Sequence, residues 1–267
     1  MTCLVTGARG IVGRTVIDRL RAAGIPVRAA SSRPGDTALP AEVEVVGLDP
    51  QRPATYTTAL DGVERVFMYA AAEGLEHFIA AAKSAGVRHI ALLSSIAAEA
   101  PGNPIGDHHL GVERPLRASG LPVTILRPGA FAANARMWQG TIGSERVVRH
   151  PFPDVQQSPI HEADLADAAV TALTTPGHAD RIYPLTGPQS LSFRTMVELL
   201  AAAVGEPIRL EHITYDQAAE FVYRPVLELW SRAGTGPAPV GPTVESVTGK
   251  PGRTFAEWAA DHARDFR

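Results

Sequence analysis

Cysteine, lysine and aromatic residues are all scarce in this chain. The single cysteine, Cys3, excludes an internal disulfide and any metal site built on several thiolates. It lies in the first apolar run, where a small buried core residue is expected rather than a reactive thiol. Lysine occurs only as Lys83 and Lys250, so nearly all positive charge is arginine. A net charge of −3 and a pI near 6.3 leave no general basic field, and nucleic acid is not expected as a partner. No apolar run is long enough to span a bilayer, and no charged leader precedes the opening run. A soluble, cytoplasmic protein without a membrane partner is expected. No G-x-S-x-G elbow occurs, which argues against a serine hydrolase of that type.

What remains is ordinary for a globular protein. The chain of 267 residues is 45% hydrophobic and 20% charged, enough for one large domain with a smaller lobe. Apolar runs at Thr2–Thr6, Val27–Ser31, Val43–Gly47, Arg65–Tyr69, His89–Leu93 and Val123–Arg127 read as strands. Helical patterns fall between several of them, as in Val12, Val16 and Leu20 with Gly24 as a stop. Alternation of this kind predicts a Rossmann-type, doubly wound parallel α/β sheet. Residues 131–160 read as irregular. A helix in "HEADLADAAVTAL", a strand in "RIYPL", a helix starting near Ser192, a strand in "IRLEHI" and a helix over Tyr215–Trp230 follow. "TFAE" has capping-box spacing at Thr254 and Glu257. The expected division is a dinucleotide-binding domain over 1–187, with 131–160 contributing to the substrate pocket, and a small C-terminal α/β substrate lobe over 188–267.

"VTGARGIVGR" joins the first strand to the first helix. Gly7 is expected to make the tight turn, Gly10 to let backbone approach a pyrophosphate, and Gly13 to let helix pack closely on strand. Arg9, Ile11 and Val12 fall in the same cradle, where helix amides and dipole favour an anion. The ribose selector of such a fold stands just past the second strand. Here that position reads "ASSRPG", with Ser31, Ser32 and Arg33 and no acid until Asp36. Arginine's planar fork suits a phosphate, so NADP(H) is predicted over NAD(H). Asp49, past the third strand, is placed either to meet the adenine amino group or to cap the next turn.

These stretches, with "AGVRHIALLSS", "GVERPLRASGLPVTILRPGAFAAN" and "PIHEADLADAAVTAL", resemble the short-chain dehydrogenase/reductase superfamily, and within it the atypical NmrA-like branch related to quinone reductases. The resemblance implies that Tyr69, Ala70 and Ala71 pass over the cofactor, with Ser94 beside it. It also implies that Pro128, Gly129, Ala130 and Phe131 flank the nicotinamide. Superfamily enzymes use a Tyr-x-x-x-Lys pair for proton transfer. No such pair exists here: the lysine place, counted from the family's glutamate at Glu113, falls on His109, and the tyrosine place on Ile105. The family's catalytic serine falls on Ser95 or Ile96.

Two readings follow. One is an NADPH-dependent oxidoreductase that passes hydride to a small electrophilic organic substrate (quinone, enone, imine or carbonyl) without that dyad. The alternative is a non-catalytic NADP(H)-binding redox sensor of the NmrA-like type. His109 is the candidate proton donor or substrate hydrogen-bond partner, with Ser95 as a second catalytic candidate. Asn134, Met137 and Trp138 are candidate substrate contacts, with core packing an equal alternative for Trp138. "DHHLGVE" lacks a second ligand cluster, so no metal is expected. His161 and Asp164 are expected to order a helix start. Phe221, Tyr223 and Trp230 are expected in the lobe's core. A small-molecule substrate is the expected partner, and a homodimer is left open.

Overall fold

The first apolar run forms β1 (Cys3–Val5), whose three residues are all buried. Such a strand belongs inside a sheet covered by helices on both faces, and β1 pairs in parallel with a strand on each edge. The computed structural model describes residues 1–35, 39–100, 102–241 and 243–267. Asp36 lies outside them.

After β1 come α1 (Ile11–Ala22), β2 (Val27–Ser31), β3 (Glu44–Gly47), α2 (Ala54–Leu60), β4 (Arg65–Tyr69), α3 (Leu75–Ser84) and β5 (His89–Leu93). Next are α4 (Pro104–Ala118) and β6 (Val123–Pro128). The chain then forms a 3₁₀ turn over Ala132–Trp138, α5 (Gln139–Glu145), β7 (Val147–His150) and β8 (Gln156–Gln157), followed by α6 (Glu162–Thr174) and β9 (Ile182–Leu185). It ends with β10 (Leu191–Ser192), α7 (Phe193–Val204), β11 (Arg209–His212), α8 (Tyr215–Ala218), α9 (Arg224–Ala233), α10 (Thr243–Thr248) and α11 (Phe255–His262).

Contacts divide the chain into two compact units, 1–128 with 162–184, and 129–161 with 185–267. Residues 131–160 therefore group with the C-terminal residues, while α6 belongs to the first unit.

The first unit is built on a seven-stranded sheet in the order β3-β2-β1-β4-β5-β6-β9. The registered pairs β2–β3, β1–β2, β1–β4, β4–β5 and β5–β6 are all parallel. This is the doubly wound Rossmann architecture. Leu4, Val66, Ile90, Leu92, Val112, Leu116 and Ile125 meet in one core under α2, α3 and α4. Each fully buried side chain of this size contributes roughly 1.5–3 kcal/mol. α1 and α6 pack together and are joined by the Arg19–Asp167 ion pair at 2.7 Å.

α4 begins earlier than the stretch around Gly111 that its periodicity suggests. Asn103 accepts from the Ile105 amide (2.9 Å) and Pro104 opens the first turn, two start signals that outweigh Gly106 and Gly111. Gly106 is used for approach, since a Cβ there would overlap the Ala97 carbonyl oxygen.

The second unit corrects three expectations. Residues 131–160 are ordered into a 3₁₀ turn, a helix and strands, because Trp138, Ile142, Val147 and Val148 are buried. The stop of α5 is hidden in sequence because Arg146 takes the left-handed conformation (φ 55°) usually given to glycine. The expected helix over Tyr215–Trp230 is two helices, with Pro225 in the first turn of α9. Trp230 is in the core, but Phe221 and Tyr223 are 60% and 65% exposed, because they fall at the break rather than on a packed face. The capping box at Thr254 and Glu257 forms in full.

Candidate active site

The strand order reverses between β1 and β4, and a crevice at the carboxyl ends of these strands follows from that reversal. The chain leaves β1 through the glycine loop. Gly7 has φ +66°, the left-handed region where other residues are strained, and a Cβ on it would stand 3.1 Å from Tyr69 Cβ. The Gly10 amide donates to the Gly7 carbonyl (2.9 Å) and closes the turn. A Cβ on Gly13 would overlap that same carbonyl oxygen, so the third glycine seats α1 on the loop rather than on the strand. Gly10 caps α1 without a side-chain acceptor, and no acidic residue stands in the first turn. The amides and the positive dipole end are thus left for an external anion. Val12 is buried beneath the loop and Ile11 is exposed beside it.

A cavity of about 400 Å³ opens over this loop. Gly7, Arg9 and Gly10 line it, with Ser31 and Ser32 from the end of β2 and Tyr69 and Ala71 from the end of β4. The Tyr69 amide donates to Thr6 Oγ1 (2.8 Å), which ties the ends of β1 and β4 together. Ala70, between the two lining residues, is buried, and its carbonyl oxygen lies 3.4 Å from His108 Nε2 on α4. Ser31 is buried and its hydroxyl accepts from the Arg33 amide (3.1 Å). Among the described residues the exposed Arg33 side chain has no ion pair or hydrogen bond. Asp49 takes the capping alternative: its carboxylate accepts from the Gln51 amide (3.0 Å) and from Arg52 Nε (2.8 Å). The Arg52 hydrogen bond holds its pKa below the usual carboxylate range.

Sequence reasoning missed the far wall of this cavity, formed by Leu48, Met68, Leu75 and Phe78 with Tyr56 and Glu73. These residues come from four separate stretches, and nothing in their spacing brings them together. The residues present fit a dinucleotide. A glycine backbone without Cβ atoms faces an unneutralised helix N-terminus, with two serine hydroxyls beside it.

A second cluster lies where β5, β6 and α4 meet. Ser94 donates to Glu113 Oε1 (2.5 Å), while Arg127 grips the same carboxylate through Nε (3.0 Å) and Nη2 (2.6 Å). The Glu113 and Arg127 side chains are 2% and 12% exposed. The Glu113 contact holds the Arg127 guanidinium above its ordinary pKa. Ser95 turns away from this cluster and accepts from the Ala97 amide (3.2 Å), capping a 3₁₀ turn over Ile96–Glu99. His109 stands one helical turn before Glu113, half-buried, and its Nδ1 is buried without a partner among the described residues. Desolvation, reinforced by His108 and opposed by Glu113, lowers its pKa below 6.5.

Pro128 ends the first unit, and Gly129, Ala130 and Phe131 open the second. There the backbone is stitched to Ile160, whose amide donates to the Ala130 carbonyl (2.8 Å) while its carbonyl accepts from Ala132 (2.9 Å). On the following turn Asn134 and Met137 are exposed. Trp138 packs instead: it is 4% exposed, in the core with Phe193 and His150, because its place in the turn faces α7. His161 is buried, with Nε2 3.5 Å from Asp261 Oδ2. Among the described residues no group of three His, Cys, Asp or Glu side chains is placed to hold a metal ion, and no helix is long and apolar enough to cross a membrane.

The glycine loop, the reversed strand order and the cavity over them define a dinucleotide-binding protein. The chain belongs to the NAD(P)H-binding family, whose model matches residues 7–176. It is 38% identical, over 98% of each chain, to a (4-alkanoyl-5-oxo-2,5-dihydrofuran-3-yl)methyl phosphate reductase of Streptomyces griseus. It is 35% identical, again over 98% of each, to an NAD(P)H azoreductase of Xenophilus azovorans. Among solved structures, the NADPH-dependent quinone oxidoreductase of Escherichia coli in complex with NADPH shares the fold. Its TM-score is 0.81 over 97% of this chain and 99% of that one, at 24% identity. These relatives support the general class of NAD(P)H-dependent oxidoreductases for this chain.

Proposed function

We propose that the protein is an NADPH-dependent reductase of the NmrA-like type that acts on a small electrophilic organic substrate such as a quinone, enone, imine or carbonyl. Full-length similarity to reductases, joined to a glycine-loop cavity suited to a dinucleotide, carries this reading. When bound, NADPH supplies the hydride. The loop amides of Gly7–Gly13 hold the pyrophosphate, and Ser31, Ser32 and Arg33 hold the 2′-phosphate through hydroxyl and guanidinium donors. Asn134 and Met137 are the proposed substrate contacts on the second unit.

His109 stands where the superfamily's lysine would be. With its pKa lowered, its imidazole is neutral at pH 7, which suits hydrogen bonding to substrate or cofactor and not acid catalysis. Substrates whose reduced forms take their protons from water need no stronger acid. Ser95 accepts from the Ala97 amide as a cap, and the role proposed for it uses its donor hydrogen.

The test is calorimetric titration with NADPH and NADH, followed by loss of NADPH absorbance in the presence of quinones and enones. A reductase binds NADPH and consumes it. Binding without consumption by any acceptor moves the protein to the sensor reading. Absence of binding removes both. In His109→Ala, turnover is expected to fall with NADPH affinity kept, and unchanged turnover removes His109 from the chemistry.

A further inference from the structure

The direction of α4 carries His109 to the ligand edge of the first unit. β5 and β6 are parallel, so α4, which lies between them in the chain, runs the opposite way and begins at their carboxyl ends. The buried Glu113 meets Ser94, just past β5, and Arg127, near the end of β6. That turn of α4 is therefore level with the strand ends. His109 stands one turn nearer the helix start and lies beyond them, where an open α/β sheet takes its ligands.

The two ring nitrogens of His109 have unequal surroundings. Nδ1 is buried with no partner among the described residues, while the ring as a whole is only half-buried. His108 packs edge-on against the ring, with centroids 5.4 Å apart, and its own Nε2 lies 3.4 Å from the Ala70 carbonyl oxygen. Glu113, on the same helix face, is committed to Arg127 and Ser94 and draws no proton onto the ring. Burial keeps the imidazole neutral, so it has one proton to place. A buried N–H donor without an acceptor is avoided more strictly than an acceptor short of a donor, and the proton goes to Nε2. The ring then offers a ligand one N–H donor, with its acceptor nitrogen shut away.

We infer that His109, as the Nε2–H tautomer, is a specificity-determining donor that selects substrates with a carbonyl oxygen conjugated to the carbon that takes the hydride, quinones and enones, against iminium ions. The inference rests on the reductase reading above and narrows its substrate class. With an enone, the β-carbon gains the hydride of NADPH, the C=C pair moves to the bond between α-carbon and carbonyl, and the carbonyl pair moves onto oxygen. NADP⁺ and an enolate result, and the enolate takes its proton from water. The Nε2–H bond to that oxygen strengthens as negative charge grows there, so it favours the transition state over the bound substrate. An iminium nitrogen has no lone pair to offer the donor, and reduction removes its charge.

The tautomer is read first in the free protein, from the nitrogen NMR shifts of the His109 ring, assigned by their absence in His109→Gln. A bare Nδ1 and a protonated Nε2 are expected at neutral pH, and the opposite pattern overturns the inference. Steady-state kinetics then compare a cyclic enone with a preformed cyclic iminium ion in the wild type, His109→Ala and His109→Gln. In His109→Ala the ratio of kcat/KM for enone over iminium is expected to fall roughly 100-fold, the effect of removing one donor to a developing oxyanion. His109→Gln, which restores an N–H donor at a similar reach, is expected to recover most of that ratio, a rescue that a merely structural histidine would not show. An unchanged ratio in His109→Ala, or His109→Gln no better than His109→Ala, overturns the inference and leaves the reductase reading standing. A wild type that consumes NADPH with the iminium ion and not with the enone does the same. A wild type that consumes NADPH with neither overturns the parent reading, and this inference with it.

Discussion

Removing Glu113 is expected to be among the most damaging single changes in the first unit. Its carboxylate receives two hydrogen bonds from Arg127 and one from Ser94, and both charged side chains are nearly excluded from water. In Glu113→Leu the Arg127 guanidinium keeps, among the described residues, only Glu99 Oε1 at 3.5 Å, and the Ser94 hydroxyl loses its acceptor. Breaking a buried pair from one side costs about 3–5 kcal/mol, because the remaining charge is left uncompensated. For a chain of this size that corresponds to a fall in melting temperature of roughly 10 °C. Urea unfolding with the slope held in common gives the free energy directly. The double variant Glu113→Leu with Arg127→Met removes both charges and is expected to recover most of the loss, since replacing a buried pair with apolar groups is often close to neutral. A single-variant cost below about 1 kcal/mol, or a double variant no better than the single, would refute the view that desolvated charge dominates this cluster.

Two further outcomes are expected. Arg33→Ala should reduce the preference for NADPH over NADH by about tenfold, the size of a charge-assisted hydrogen bond to phosphate at an exposed position, and an unchanged ratio by calorimetry would show that Arg33 does not read the 2′-phosphate. Burial lowers the pKa of His89 and of His150 to about 4, so each holds fewer protons folded than unfolded between that value and 6.5. Their contribution to stability is complete above pH 6.5 and is lost as pH falls towards 4. His150→Phe, in a ring cluster already containing Phe193 and Trp230, should flatten that acid slope in urea titrations; a slope identical to the wild type would exclude His150 as its source.

Local chemistry determined a good deal by itself. Strands β2, β4 and β5 span the residues expected of them, and β5, buried at every position, shows why: a strand covered on both faces needs a near-continuous apolar run. The glycine loop was legible because glycine takes the left-handed backbone at Gly7 without strain and leaves room for the close approach at Gly13. The capping box at Thr254 was legible for the same reason, since it is a contact between residues three apart. Other features were decided only by tertiary packing. Arg146 closes α5 in a conformation its side chain does not advertise, and Trp138 goes to the core because α7 is there to receive it. The cavity wall gathers Leu48, Tyr56, Met68, Glu73 and Phe78 from strand ends and helices that the parallel sheet brings side by side. The Ser94–Glu113–Arg127 cluster joins residues from three elements. A sequence records which groups can bond within a few residues of each other; which distant groups meet depends on strand order, and strand order follows from how the whole set of apolar faces is buried together.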